Sequence, residues 1–295
     1  PSFDHVDVSQ GLNDTYEDKV IYSCQGSFDK TLLTRRSRLL IYSSQFKNIQ
    51  TTDSGAAIRY FFEIQGIQNI NENLLKETII KDCTFQDCNA REGGAIYAKI
   101  DQVYVIFEIS DSKFLHNSAT KTGGAIHIIG NNISIDRCQF TNNKALEGAN
   151  DFYFNVYKFR SLELQDAPHG FSIENCNFEC ILYKDMLSMF YFTGNTYTMS
   201  FVGNTVSVID TNSNPEKFVI FSNDPDSYDQ ILTFKDNFIF PFNETIVADD
   251  AMIQKAGFKF SDSFTKSSLS FKKYQTPLST FQDISTGFDS IDDDN

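Results

Sequence analysis

A six-residue pattern of apolar, polar and small positions recurs along the first two thirds of the chain. The pattern is Ile-x-x-[Cys/Ser]-x-Phe. Full copies begin at Ile41, Ile80, Ile109, Ile135 and Ile173, and a degenerate copy begins at Ile21, with Gly26 in the place of the phenylalanine. Successive starts are 20, 39, 29, 26 and 38 residues apart. A β-solenoid absorbs such drift as loops of variable length, so the pattern predicts strands rather than a rigid helical repeat.

A second pattern follows the first along the chain. Gly-Gly-Ala-Ile occupies residues 93–96 and 123–126, and Gly-Ala-Ala-Ile occupies residues 55–58. Beyond the glycines, apolar residues occupy every second position, which is the period of a strand with one buried face. The alternation directs Ile96 and Ile126 inward and leaves Tyr97, Lys99 and His127 outward. Each coil is therefore predicted to run strand, turn, strand, with glycine permitting a tight corner or a positive φ.

Together the two patterns predict an all-β chain, a single-stranded right-handed parallel β-helix or solenoid. Stacked coils place equivalent positions about 4.8 Å apart, so each residue type forms a ladder. The predicted core ladder has an aromatic row, Phe46, Phe85, Phe114, Phe140 and Phe178, beside a row of small side chains, Ser44, Cys83, Ser112, Cys138 and Cys176, with Cys24 below them. Asn117, Asn143 and Asn204, each three residues past a phenylalanine, are predicted to hydrogen-bond the turns.

The domain organisation predicted from these patterns is one long solenoid with a short tail. The solenoid spans residues 1–265, with a loop insertion near residues 211–228 that is rich in turn residues and carries a short strand at 218–221. Residues 266–295 are rich in Ser and Thr and end in an acidic run. This tail is predicted to be a cap, a linker or a flexible end.

Charge and hydropathy narrow the classes of partner. The chain has 39 acidic and 25 basic residues and a net charge of -14, which repels phosphates, so no nucleic-acid binding is predicted. No run of about 18 apolar residues occurs, so no transmembrane helix is predicted. The chain begins at Pro1 without a basic and apolar leader, as a mature secreted protein or a trimmed one would.

Cysteines and sequons add to the expectation of a secreted or cell-surface protein. Six cysteines would permit a disulfide framework outside the cell. The ladder position favours buried thiols, with local bridges from Cys83 or Cys176 to Cys88 or Cys180 left open. Three N-x-[ST] sequons predict glycosylation at Asn13, Asn132 and Asn243 if the chain is secreted.

The pairing of Gly-Gly-Ala-[Ile/Leu/Val] with Phe-x-x-Asn resembles the repeat of the polymorphic outer-membrane protein family of chlamydiae. The matching residues are the two Gly-Gly-Ala-Ile segments and the Phe-x-x-Asn segments at 114–117, 140–143 and 201–204, within about residues 80 to 205. The resemblance implies a parallel β-helix passenger region and a role in adhesion. The long series of amphipathic strands that would form that family's outer-membrane barrel is not found in this sequence.

One candidate binding surface comes from the outward positions that follow the inward isoleucines of the second pattern. In register, Arg59, Tyr97 and His127 would form a vertical strip for a carbohydrate or a protein partner, and a solvated strand face is the alternative. The four histidines, His5, His116, His127 and His169, share no metal-ligand spacing. No metal site, cofactor or catalytic residue is therefore predicted.

The sequence thus favours a non-enzymatic extracellular or cell-surface protein with a structural or adhesive role. Self-association into fibres is predicted because a solenoid exposes strand edges at its ends, with glycans or cell-surface proteins as further partners. The alternative is a carbohydrate-binding or polysaccharide-cleaving β-helix. Cleavage would need two carboxylates at a defined separation, and the acidic runs at 249–250 and 292–294 lack the sequence surroundings of pectin-cleaving β-helices.

Overall fold

Parallel β-strands form the part of the chain that the computed structural model describes. That part comprises residues 4–12, 15–62, 77–100, 105–130, 132–156, 170–182, 188–194, 197–210, 218–223, 230–235, 238–240, 245–248 and 259–260. It contains thirty strands in four sheets and no helix. The prediction of an all-β chain with repeat-like parallel sheets is confirmed.

The strands are numbered in chain order and grouped here by sheet. The ten-stranded sheet contains β1 (Asp4–Asp7), β3 (Lys19–Cys24), β6 (Arg38–Tyr42), β9 (Glu77–Lys81), β13 (Ile106–Ser110), β17 (Asn132–Asp136), β21 (Gly170–Glu174), β24 (Tyr197–Val202), β27 (Gln230–Lys235) and β30 (Lys259–Phe260). The eight-stranded sheet contains β4 (Ser27–Phe28), β7 (Gln45–Lys47), β10 (Thr84–Gln86), β14 (Lys113–Leu115), β18 (Gln139–Thr141), β22 (Asn177–Leu182), β25 (Thr205–Asp210) and β28 (Phe238–Phe240). The three-stranded sheet contains β11 (Asn89–Ala90), β15 (Ser118–Ala119) and β19 (Lys144–Ala145). The nine-stranded sheet contains β2 (Tyr16–Glu17), β5 (Leu32–Arg35), β8 (Ile58–Phe62), β12 (Ile96–Ile100), β16 (Ile126–Ile129), β20 (Phe152–Val156), β23 (Ser188–Gly194), β26 (Phe218–Asn223) and β29 (Thr245–Ala248).

The chain visits these sheets in a repeating order. From β9 it passes through the eight-, three- and nine-stranded sheets as β10, β11 and β12, and then returns to the ten-stranded sheet as β13, which pairs with β9. Each strand therefore hydrogen-bonds to its equivalent from the round before. Hydrophobic positions recur at matching points of each round, so their side chains meet in one continuous apolar core.

The predicted aromatic row lies in the eight-stranded sheet. Register pairs Phe46 with Phe85, Phe85 with Phe114, and Phe114 with Phe140, and the row continues to Phe178. Ring centroids of successive members lie 4.7 to 5.1 Å apart and the rings are nearly parallel, tilted by 4° to 13°. All five side chains are buried. Offset stacking of this kind adds about 0.5–1.5 kcal/mol per pair to the burial of the rings.

The corner between the ten- and eight-stranded sheets has a regular backbone conformation. One residue per coil takes a left-handed φ of 46° to 67°: Gln25, Ser43, Asp82, Asp111, Arg137, Asn175 and Gly203. Asp and Asn tolerate this region better than most residues because their short polar side chains hydrogen-bond locally. Six of these seven residues have a side chain. The glycines for which the sequence predicts a tight corner or a positive φ are at the turn before the nine-stranded sheet, where Gly55, Gly93 and Gly123 have φ of 62° to 68°.

The predicted row of small side chains follows this corner directly. Each member bends back to the backbone: Cys83 Sγ donates to Lys81 O at 3.2 Å, and Ser112 Oγ donates to Ser110 O at 2.7 Å. The same Ser112 oxygen accepts the backbone N–H of Cys83 from the neighbouring coil at 3.0 Å. A compact side chain that both donates and accepts a hydrogen bond therefore satisfies backbone groups at a buried turn.

Two register predictions are wrong. Ser23, not Ile21, pairs with Ile41, and Phe28 pairs with Phe46, so the first copy is shifted by two residues. Gly26 therefore occupies the small position and Cys24 is exposed, outside the ladder. At the other end Phe201 pairs with Ile173, which puts Asn204 at the small position, where it accepts the N–H of Cys176 at 2.8 Å.

The domain limits stay predictions. Residues 266–295 and most of the 211–228 insertion lie outside the described residues, although the short strand expected at 218–221 is present as β26.

Candidate functional site

A row of aromatic and basic side chains lies on the outer face of the nine-stranded sheet. We call it the outer row: Arg59, Tyr97, His127 and Tyr153, which parallel register aligns on β8, β12, β16 and β20. The ring centroids of Tyr97 and His127 are 5.1 Å apart, and those of His127 and Tyr153 are 4.3 Å apart. The structure thus brings together the three residues of the predicted strip and adds Tyr153, which follows Phe152 at a position where the Gly-Gly-Ala-Ile motif is lost.

A second line of outward side chains runs beside the outer row. We call it the flanking row: Arg35, Phe61, Lys99, Ile129 and Asn155. The guanidinium carbon of Arg35 lies 5.6 Å from the centroid of the Phe61 ring, within cation–π range. Phe61 also contacts Tyr97 of the outer row, with ring centroids 5.8 Å apart. The two rows therefore form one surface of rings interspersed with cations.

The turn that precedes each of these strands brings polar groups to the edge of the outer row. Ser54 Oγ donates to Glu92 Oε2 at 3.0 Å, and Thr122 Oγ1 lies 3.0 Å from His127 Nδ1. Arg59 donates through Nε to Ser54 O at 2.5 Å and through Nη1 to Asp53 Oδ2 at 3.2 Å. These bonds hold the Arg59 and His127 side chains against the sheet.

Glycine occupies the tightest point of this turn in three of the coils. Gly93 and Gly123 have φ of +62° and +68°, and a Cβ on either would lie 2.1 or 2.3 Å from the carbonyl oxygen of Ile96 or Ile126. At this separation a Cβ would force the backbone to shift, and in the next round Ala149 takes the register position of Gly123 with φ of +58°. In the two coils that contain it, the Gly-Gly-Ala-Ile motif thus places the residue after the isoleucine on the outer face at the same height.

His127 differs from its predicted role as an exposed contact. Its side chain points outward but is only 6% exposed, because the rings of Tyr97 and Tyr153 cover it from the two neighbouring coils. Burial lowers the pKa of His127 to about 4, although nearby Glu92 acts in the opposite direction. The imidazole is therefore neutral at physiological pH. Arg59 and Tyr97 are half-buried, so the strip is a packed surface rather than a freely solvated face.

The charge of this face contrasts with that of the whole protein. The strands of the nine-stranded sheet from β5 onward contain Arg35, Arg59 and Lys99 and no Asp or Glu, in a chain of net charge -14. The acidic groups Asp53 and Glu92 lie on the preceding turns. The ten-stranded sheet, by comparison, has carboxylates at Glu108, Asp136 and Glu174. From β5 onward the strands of the nine-stranded sheet therefore contain positive but no negative charge, whereas β2, the first strand of that sheet, contains Glu17.

The cysteines are free thiols in the structure, so the bridges considered from the sequence are not formed. Cys83 and Cys88 lie at opposite ends of β10, and each sulfur contacts backbone carbonyls instead. Burial raises the pKa of both thiols to about 12. Burial raises the pKa of Cys138 and Cys180 as well. A buried thiol with a raised pKa is a poor nucleophile.

Of the three predicted glycosylation sites, only Asn132 lies among the described residues. It begins β17, is half-buried, and stands between Ile106 of β13 and Gly170 of β21. The hydroxyl of Ser134, the third residue of the sequon, accepts from Ser172 Oγ at 3.3 Å. Asn13 and Asn243, like the acidic runs at 249–250 and 292–294, lie outside the described residues.

Asp151 is a buried carboxylate that the sequence patterns did not single out. It accepts from Asn143 Nδ2 at 2.9 Å, and Asn143 Oδ1 in turn accepts from Asn117, so a line of buried amides ends at this carboxyl. Burial raises the pKa of Asp151 to about 7. The sequence contains a signal for this buried acid, because Asn150-Asp151-Phe152 is in register with Gly124-Ala125-Ile126 of the second pattern. At the inward end of the turn, an acid therefore replaces alanine.

Across the described ranges, no group of three or more His, Cys, Asp or Glu side chains could hold a metal ion. Nor does any helix with the length and apolar character of a membrane span occur in that part of the chain. No protein-family model, curated protein or solved structure matches this chain.

Proposed function

We propose that the chain winds as a single-stranded right-handed parallel β-helix. The repeating order of the sheets supports this, since each round of the chain pairs in register with the next along every sheet. A right-handed coil follows from the chirality of parallel crossovers, which are right-handed in nearly all known cases. A crystal structure tests the proposal, and a left-handed coil would contradict it.

We further propose a structural or adhesive role outside the cell or at its surface, without catalysis. The carrying observation is the in-register stacking of buried side chains along the described coils, with rings and cations displayed on one outer face. Burial raises the pKa of Asp151 and of four thiols, and all five groups lie inside the core rather than on a surface that a substrate could reach; the thiols are those of Cys83, Cys88, Cys138 and Cys180. His127, whose pKa burial lowers, lies on the outer face but is covered by rings. Such burial supports a scaffold more than an active site.

Adhesion is tested with fluorescently labelled protein on host-cell or microbial surfaces. We expect binding that falls about tenfold in the Tyr97→Ala variant, because a ring anchor of this kind often carries 1–2 kcal/mol of an interaction. Tyr22→Ala is the matched control, since Tyr22 lies on the ten-stranded sheet and is 38% exposed. Absence of binding to any surface, or equal loss in both variants, would contradict the adhesive role.

Head-to-tail assembly into fibres is the structural version of the proposal. β1 forms one edge of the ten-stranded sheet and β4 one edge of the eight-stranded sheet, both at the N-terminal end of the stack. Strand edges of this kind can pair with another chain, and a head-to-tail contact propagates without closing. Negative-stain microscopy should reveal filaments at high concentration. Monodisperse particles at every concentration would contradict this version.

Secretion is part of the same proposal, and the resemblance to the chlamydial polymorphic outer-membrane proteins is one of its supports. Secretion predicts glycan mass at one or more of Asn13, Asn132 and Asn243 when the source organism glycosylates such sequons. Peptide mass spectrometry of the native protein checks this. An unmodified chain recovered from the cytosol would contradict it.

The outer row favours one part of the alternative function, carbohydrate binding. Stacked rings with neighbouring hydroxyl and guanidinium groups are common in sites that orient a polar ligand on an apolar surface. Glycan cleavage is tested separately by incubating the protein with polysaccharides and measuring new reducing ends. We expect none.

A further inference from the structure

We propose that the outer and flanking rows, between β5 and β20, form a binding surface for a linear acidic polysaccharide. This inference rests on the adhesive role proposed above and names the class of ligand. The occupant is a chain of sugar rings bearing carboxylate or sulfate groups. It lies along the stacking direction of the coils and crosses one strand after another.

The first argument is geometric. Equivalent residues recur with the spacing of neighbouring strands, about 4.8 Å, and Tyr97, His127 and Tyr153 present their rings in one line. A surface that repeats in one dimension suits a ligand that also repeats in one dimension. The flat faces of sugar rings carry C–H groups that pack against the electron-rich face of an aromatic ring.

The second argument is electrostatic. Arg35, Arg59 and Lys99 belong to strands of the nine-stranded sheet that contain no carboxylate. Glu17 on β2 is in register with Arg35, but its carboxylate pairs with Arg36 Nη2 at 2.6 Å. The guanidinium of Arg35 is exposed and lies over the Phe61 ring. An arginine in this position can pair with a carboxylate or sulfate in bidentate geometry through its N–H edge while one face stays over the ring. His127 adds no charge at neutral pH, and the negative charge of Glu92 is partly offset by Lys121, whose Nζ lies 4.0 Å from Glu92 Oε1. Arg35 and Lys99 therefore supply charge complementary to an acidic polymer.

The third argument separates a glycan from an acidic peptide. Extended peptides bind sheets at open edges, where backbone N–H and C=O groups are available. The outer row lies on a sheet face, with β8, β12 and β16 each paired on both sides. The face offers rings and side-chain charges but no strand edge. These are the groups that recognise a charged sugar rather than a peptide backbone.

The experiment measures binding of end-labelled polygalacturonate oligomers to the full chain by fluorescence anisotropy at low and physiological salt. Dextran oligomers of equal length serve as the neutral comparator and poly-L-glutamate as the acidic peptide. The test variant is Arg35→Glu with Lys99→Glu. The matched control is Lys47→Glu with Lys113→Glu, which makes the same change in net charge on the eight-stranded sheet. Far-ultraviolet circular dichroism and thermal unfolding verify that both variants fold.

We expect polygalacturonate to bind with an affinity that falls steeply with salt, and dextran to bind at least tenfold more weakly. The test variant should lose about tenfold or more in affinity and most of the salt dependence, while the control variant stays within about twofold of the wild type. Tyr97→Ala should weaken binding with little change in the salt dependence, because it removes stacking and not charge.

Four outcomes would overturn the inference. These are equal losses in the test and control variants, dextran binding as tight as polygalacturonate, poly-L-glutamate binding at least as tight, and dimerisation of the protein that depends on Arg35 and Lys99. If the wild type adheres to cells but binds none of these polymers, the ligand class is wrong and the adhesive role stands. If it binds neither cells nor polymers, the adhesive role itself fails.

Discussion

Two rows of this protein are aligned by the same kind of parallel register but have opposite surroundings. The inner row in the eight-stranded sheet consists of identical side chains that are buried and nearly parallel: Phe46, Phe85, Phe114, Phe140 and Phe178. The outer row of the nine-stranded sheet mixes Arg59, Tyr97, His127 and Tyr153, which are half-buried except for His127. In-register pairing thus produces a buried row of one residue type and an outward row of mixed residue types. The comparison teaches that a ladder stabilises where its members face inward and is available for recognition where they face outward.

Removing one ring from the inner row should have the largest effect. Phe114 lies between Phe85 and Phe140 with no exposed surface, so Phe114→Ala should lower the free energy of unfolding by about 3–5 kcal/mol. Leu115→Ala, in the same strand but half-buried on the other face, is the control and should cost under about 1.5 kcal/mol. Chemical denaturation measures both, and equal effects would remove the distinction between inner and outer rows.

The buried carboxyl beside the inner core should make stability depend on pH. The pKa of Asp151 is raised to about 7 in the folded state from an ordinary 3.8, so its contribution is fully present below pH 3.8 and is lost as pH rises to about 7. Replacing it with a neutral amide should remove this loss. Asp151→Asn is expected to be more stable than the wild type above pH 7, by up to about 4 kcal/mol, with no difference near pH 3.5. Asp29→Asn, at an exposed turn, is the control, and the idea fails if both substitutions behave alike.

The covered histidine of the outer row should act in the opposite direction. The pKa of His127 is lowered to about 4 from 6.5, so its contribution is present above pH 6.5 and is lost as pH falls toward 4. His127→Phe should remove up to about 3 kcal/mol of acid destabilisation. Between pH 4 and 6.5 a rise in pH lowers the free energy of unfolding through Asp151 and raises it through His127. In each variant, only the pH dependence of the remaining group should be seen. Denaturation curves across this range that are the same for wild type and both variants would contradict the burial of these groups.

The smallest effect on stability is expected in the outer row itself. Tyr97→Ala should lower the free energy of unfolding by only about 1–2 kcal/mol, since its ring is half-buried. Thermal unfolding measures this beside Phe114→Ala. A loss as large as that of Phe114→Ala would mean that the outer row is part of the core and is not available to a ligand.

The sequence patterns were most accurate where the copies are complete. From Ile41 to Phe178 the apolar and small positions pair as the six-residue frame predicts. The frame failed where a copy is degenerate, because the alignment at Ile21 relied on one isoleucine and one cysteine. The pairing of Phe28 with Phe46 decides that register, since a buried ring gains more from stacking than an exposed cysteine does.

The sequence by itself determined that the chain is built from strands, which positions face inward, and that like residues can stack, because these follow from local periodicity. Only the tertiary structure decided how much of each outward side chain is covered, since that depends on neighbours from coils about 26 to 38 residues away. His127 is covered by rings from two other coils, and Asp151 is enclosed where alanine stands in the preceding coil. The exposure of charges and rings on the outer face was likewise decided only by the tertiary structure, because it depends on the register between coils and not on any single repeat.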